Sequence, residues 1–140
     1  MSSPPAMRHL SAVLIVGRIE PCLAFWEARL GFLRAGEGWL DDQLGYVTLH
    51  RDGVTVMYQT RSSLLATMPA LADLHLGVSV SYVTVTDIDA VAQALDGADV
   101  RVPLHKASYG AREVWACEPG GHLIAFAEAE PATAEPAPTR

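Results

Sequence analysis

A chain of 140 residues with a formal net charge of −6 has the length of one domain, and it lacks the basic balance that neutralising phosphates requires, which argues against nucleic-acid binding. Hydrophobic residues make up 50 % and charged residues 19 %, so a sizeable core is within reach. The longest apolar run, residues 11–17 (SAVLIVG), is far too short to span a membrane, and residues 1–10 (MSSPPAMRHL) hold no signal-peptide core; a cytoplasmic protein is expected. Cys22 and Cys117 form no CxxC pair, which predicts two buried free thiols rather than a disulfide or a zinc site.

Residues 1–7 read as a tail. The apolar segment Leu14-Ile15-Val16 then runs through a turn into an amphipathic helix over residues 20–30, with Leu23, Ala24, Trp26 and Leu30 near one face and Gly31 placed to end it. Strand-like segments follow at 32–35, 44–50 and 54–59, the last two joined by the tight-turn pair Asp52-Gly53. The linker 61–77 carries Leu64, Leu65, Met68 and Leu71 and has room for a short helix. The opening pattern then returns 69 residues later, Val83 to Asp89 matching Leu14 to Glu20. A second helix is predicted over 88–95, capped by Asp87 and stopped by Gly97. Strands at 100–104, 112–117 and 123–127 complete this half, with Pro119-Gly120-Gly121 joining the last pair. Each half therefore reads β-α-β-β-β, an α+β domain over 8–128 built from modules at about 8–60 and 78–128. The turns are too short for the crossovers of a doubly wound parallel sheet. Residues 129–140, a Pro/Ala/Glu mixture, have almost nothing to bury and are expected to be disordered.

Three segments carry a resemblance. VLIVGRIEPCLAFWEARLGF, with its Phe25-Trp26 pair and Leu30-Gly31-Phe32 ending, is similar to the opening of glyoxalase/bleomycin-resistance proteins of the vicinal-oxygen-chelate superfamily. VTVTDIDAVAQAL resembles the opening of that family's second module, and YGAREVWACEPGGHLIAFAE its final hairpin. Their order and spacing cover about residues 8–128 and imply two βαβββ modules forming curved mixed sheets. Arg18, Tyr109, Glu118 and Gly120 depart from the pattern at surface turns. The resemblance places metal ligands on the first and last strand of each module, at Ser11, Met57, Val80 and Ala125. None of these is the imidazole or carboxylate that a divalent ion needs, so no metal and no other cofactor is expected. Of the histidines (His9, His50, His75, His105 and His122), only His9 lies near a ligand position on the right strand face, and the rest read as surface or turn residues.

Strand alternation places Ser11, Val13, Ile15, Thr55 and Met57 on the concave face of one module and Val80, Tyr82, Thr84, Leu123 and Ala125 on that of the other. Trp39, Tyr46, Tyr58, Tyr109 and Trp115 supply further aromatic walls, and Arg112 and Glu113 are the best-placed charges at a rim. The candidate ligand-binding set is Trp39, Tyr46, Met57, Tyr82, Tyr109, Arg112 and Trp115; each equally suits a place in the core or on a solvated strand edge. With no nucleophile–base pairing evident, the expectation is a metal-free homodimer that binds a small, cationic or aromatic molecule, like bleomycin-resistance proteins. A metal-dependent lyase, transferase or dioxygenase with atypical ligands, and an accessory protein that binds a metabolite, remain the alternatives.

Overall fold

The computed structural model describes residues 4–6, 9–73, 77 and 79–130. His75 and most of both predicted tails lie outside them. The first half runs β1 (Ala12–Val16), α1 (Glu20–Ala24), β2 (Leu33–Leu40), β3 (Gln43–Arg51) and β4 (Val54–Thr60). A short helix α2 (Arg61–Thr67) and one 3₁₀ turn (Pro69–Leu71) occupy the linker. The second half runs β5 (Val80–Thr84), α3 (Ile88–Ala94), β6 (Asp99–Lys106), β7 (Arg112–Cys117) and β8 (Leu123–Glu128). The four-stranded sheets have orders β1-β4-β3-β2 and β5-β8-β7-β6, and in each the first and last strands of the module pair parallel while the others pair antiparallel. Among the described residues no helix is long and apolar enough to cross a membrane.

Local chemistry accounts for the departures from the expected elements. The helix expected over 20–30 is α-helical only to Ala24 and then widens into a π turn, Phe25–Arg29. The wider turn lets two consecutive aromatics face inward, and Phe25 and Trp26 are both buried. Trp26 packs edge-to-face on Phe25 and Phe32 at 5.2 and 5.0 Å. β2 extends five residues beyond the expected segment, to Leu40, because Gly36 and Gly38 continue the pairing with β3. The Tyr46 ring lies across Gly38, where a Cβ would stand 2.7 Å from it. Pro103 is tolerated because β6 is an edge strand.

The inner faces of both sheets and the helices share one core, from Leu14, Trp26, Val47 and Tyr58 to Leu95, Val114, Ile124 and Phe126. A buried polar chain joins the halves, and it takes in Tyr58 and Glu118, expected on a cavity wall and at a surface turn, because their hydrogen bonds to Trp26 and to each other satisfy them in the core. The Trp26 indole donates to the Tyr58 hydroxyl (2.8 Å), which donates to Glu118 (2.6 Å); Glu118 also accepts from the amides of Gly120 (2.9 Å) and His122 (2.6 Å). His122, expected at a surface turn, is 4 % exposed. Its Nδ1 accepts from the Ser79 amide (3.0 Å), so Nε2 carries the proton donated to the Ile15 carbonyl (3.0 Å), and the ring ties β1 to the second sheet.

Burial pushes the Cys22 thiol up from 9.0 to about 12, helped by the nearby Glu118 charge, and the same two causes raise Tyr58. Both groups favour their protonated forms in the folded state. The Cys22 contribution to stability is therefore complete below about pH 9 and is lost as pH rises from there through about 12, while that of Tyr58 starts to fall only above about pH 10. A denaturant series from pH 8 to pH 11 is expected to show stability falling above pH 9, and Cys22→Ala is expected to reduce that slope. Cys117 is half-buried rather than buried.

Candidate ligand site on the second sheet

Cross-strand register decides which side chains share the concave face of the second module. Tyr82 pairs with Ala125 and Ala125 with Trp115, while Glu113 pairs with Ala127 and with His105. Because alternate residues share a face, Glu113, Trp115, Tyr82 and His105 lie together, and Arg112, Val114 and Phe126 lie on the opposite, helix-facing side.

Glu113 is the centre of this group. It is only 4 % exposed, beside open residues of the same face, Tyr82 at 42 % and Val80 at 55 %, while the small Ala125 and Ala127 of that face are buried. The Tyr82 hydroxyl donates to Glu113 Oε2 at 2.6 Å and the Trp115 indole to Oε1 at 3.1 Å. The Tyr109 and Tyr82 hydroxyls are 3.0 Å apart, and since Tyr82 gives its proton to Glu113, Tyr109 is the donor between them. The cation nearest Glu113 would be His105, whose Nε2 is 4.0 Å from Oε1 and whose Nδ1 donates to the Pro103 carbonyl at 2.9 Å. The result is a sunken carboxylate oriented by two neutral donors and rimmed by aromatic rings.

The candidate residues separate accordingly. Tyr82, Tyr109 and Trp115 meet around Glu113. Tyr46 and Met57 lie on the concave face of the other sheet, on the rows of Gly38, Gln59, Thr48 and Val13. Arg112 is not a rim group: it faces α3, where it forms a bidentate pair with Asp89 (2.9 and 3.1 Å). Trp39, 61 % exposed, is also displaced. Gly38 is the residue opposite Tyr46, so Trp39, the next along β2, lies off the Tyr46 row, and a register shift there pairs it with the buried Leu44. Glu113 and His105 were the residues underrated in the sequence. The available signal was parity, because 113 and 115 share a strand face that excludes 112.

This placement separates the two tryptophans experimentally. Trp115→Ala is expected to weaken ligand binding at least about tenfold by removing a stacking surface and a Glu113 partner. Trp39→Ala is expected to leave affinity unchanged and stability within about 0.5 kcal/mol. Titration and melting of both variants checks this; equal losses of affinity would place Trp39 in the site.

The fold implies a metal between the modules, and the residues do not fit one. Ser11, Met57, Val80 and Ala125 offer a hydroxyl and a thioether but no imidazole or carboxylate. His9 is exposed, and among the described residues no group of three or more His, Cys, Asp or Glu side chains is placed to hold an ion.

No family model and no curated protein matches the sequence. Solved structures do match. TioX from Micromonospora sp. ML1 superposes with a TM-score of 0.70 at 20 % identity, covering 87 % of this chain and 98 % of that one. A glyoxalase/bleomycin resistance protein/dioxygenase from Nocardioides gives 0.70 at 17 % identity, over 93 % and 89 % of the two chains. Lactoylglutathione lyase from Agrobacterium tumefaciens gives 0.67 at 16 % identity, over 90 % and 96 %. The chain has the vicinal-oxygen-chelate fold of the glyoxalase/bleomycin-resistance/dioxygenase superfamily. At these identities the likeness speaks for the fold, and one fold hosts many chemistries.

Proposed function

We propose that this protein binds a small, flat, cationic molecule on the concave face of its second sheet, without a metal and without transforming it, in the manner of antibiotic-sequestering proteins of this fold. Glu113 carries the reading: a buried carboxylate beside the exposed Tyr82 and Val80, held by Tyr82 and Trp115. Two neutral donors orient the carboxylate and leave its negative charge for a ligand to neutralise, and the adjacent rings offer cation–π and stacking contacts. Apolar side chains exposed on both concave faces, Val13, Tyr46, Val80, Tyr82 and Val102, support a homodimer in which a second copy closes the site. A cytoplasmic drug target or toxin is the natural context for such a binder.

A thermal-shift screen tests the proposal, first with divalent metals and EDTA and then with cationic aromatic antibiotics, bleomycin among them. EDTA is expected to leave the melting temperature unchanged, and a cationic aromatic compound to raise it, since a ligand of the native state stabilises it by mass action. One transition-metal ion per chain by elemental analysis, with EDTA lowering the melting temperature, would replace this reading with a metal-dependent enzyme.

A further inference from the structure

The internal repeat makes each half a control for the other, and one place in the fold is treated differently by the two halves. In the first half the β7–β8 turn seals against β1 and α1. A Cβ on Gly120 would stand 2.5 Å from Val16 Cγ1, and Glu118 reaches the Tyr58 hydroxyl at 2.6 Å beneath. The equivalent β3–β4 turn, Asp52-Gly53, faces β5 and α3, and nothing lies within 4 Å of where a Gly53 Cβ would be. A cavity of about 520 Å³ opens there.

The 69-residue offset explains the opening. It superposes Ile19 on Ile88, both fully buried, and sets Phe25 over Ala94 and Trp26 over Leu95; strand pairing sets Tyr58, opposite Leu14, over Phe126, opposite Val83. The aromatic residues that fill this place in the first half are thus smaller or less polar in the second. Leu30, Phe32, Val54, Val83, Val91 and Phe126 leave it largely apolar.

Arg29 gives the cavity its chemistry. It is half-buried and lines the cavity, and its Nη1 is fixed to the carbonyls of Ala94 and Asp96. Among the described residues no carboxylate lies within 4.0 Å of it. Arg51 stands at the cavity too, anchored to the Leu30 carbonyl and 3.7 Å from Asp52. The lining carboxylates are otherwise engaged: Asp87 caps α3 through Ala90, and Asp52 points to solvent at the turn tip. A pinned guanidinium without a counter-charge beside an apolar cavity is complementary to an anionic head on an apolar body.

We infer that the inter-module cavity is a second ligand site, separate from the Glu113 face, and that it takes an amphipathic monoanion of the medium-chain carboxylate class, its head on Arg29 and its chain against Val83, Val91 and Phe126. Decanoate below its micellar concentration is the probe and decanol its neutral counterpart, titrated calorimetrically into the full chain. Decanoate is expected to bind saturably and decanol at least about tenfold more weakly. Ala94→Phe, which installs the aromatic that the first half carries at this position, is expected to block decanoate while the melting temperature holds or rises. Arg29→Gln is expected to weaken decanoate at least about tenfold with Arg29→Lys between the two, which keeps the test valid if Ala94→Phe does not fold. The inference is overturned if decanol binds as well as decanoate, if Arg29→Gln binds decanoate normally, or if the wild type shows no saturable binding. It is also overturned if Ala94→Phe instead dissociates a dimer, which would give the cavity to a second copy of the chain.

Discussion

Glu118→Ala is expected to destabilise the fold by about 3–5 kcal/mol, the largest single effect of any polar substitution in the molecule. Three donors, the Tyr58 hydroxyl and the amides of Gly120 and His122, lose their acceptor at once in a place water does not reach. The loss also spreads between modules, because the β7–β8 turn that Glu118 organises carries His122 against Ile15. Tyr58→Phe removes one donor and leaves the other two bonds to the carboxylate, so a smaller loss of about 1.5–3 kcal/mol is expected. Chemical denaturation of both single variants and the double variant checks the ordering. The double variant should be less destabilised than the sum, since both changes break the same bond. A Glu118→Ala loss below about 1 kcal/mol would mean that the turn is held by other contacts.

Glu113→Gln is expected to do the opposite: to leave folding stability within about 1 kcal/mol while reducing affinity for a cationic ligand by roughly 2–5 kcal/mol, at least thirtyfold. The glutamine oxygen still accepts from Tyr82 or Trp115, so the local packing survives. What disappears is the negative charge, and in a sunken site a charge counts for more than it does in water. The two glutamates therefore diverge although both are buried. Glu118 is surrounded by donors of its own chain, and Glu113 faces outward from a concave sheet.

Much of this was legible in the residues. The repeat, the alternation of Leu14, Val16 and Val56 with Val13 and Met57, and the turn chemistry of Asp52-Gly53 and Pro119-Gly120 define both modules, because these features are local. Four things required coordinates. The register that sets Gly38 opposite Tyr46 and Trp39 opposite Leu44 depends on how β2 meets β3, which no single segment encodes. Strand parity in the sequence already separates the adjacent Arg112 and Glu113, but the pairing of Arg112 with Asp89 depends on where α3 docks. The buried position of His122 arises from packing between the two halves, 107 residues apart in the chain at the Ile15 carbonyl. The open cavity is likewise invisible until Ala94 and Phe25 are seen in equivalent places.

The central claim is a metal-free cation site at Glu113. Titration of the wild type and Glu113→Gln with 10-methylacridinium, a planar monocation, in the presence of EDTA tests it most directly, with neutral acridine as the uncharged comparison. Saturable binding by the wild type is predicted, at least about tenfold tighter than acridine and lost in Glu113→Gln. Binding that survives Glu113→Gln, or that appears only after a divalent metal is added, would contradict it.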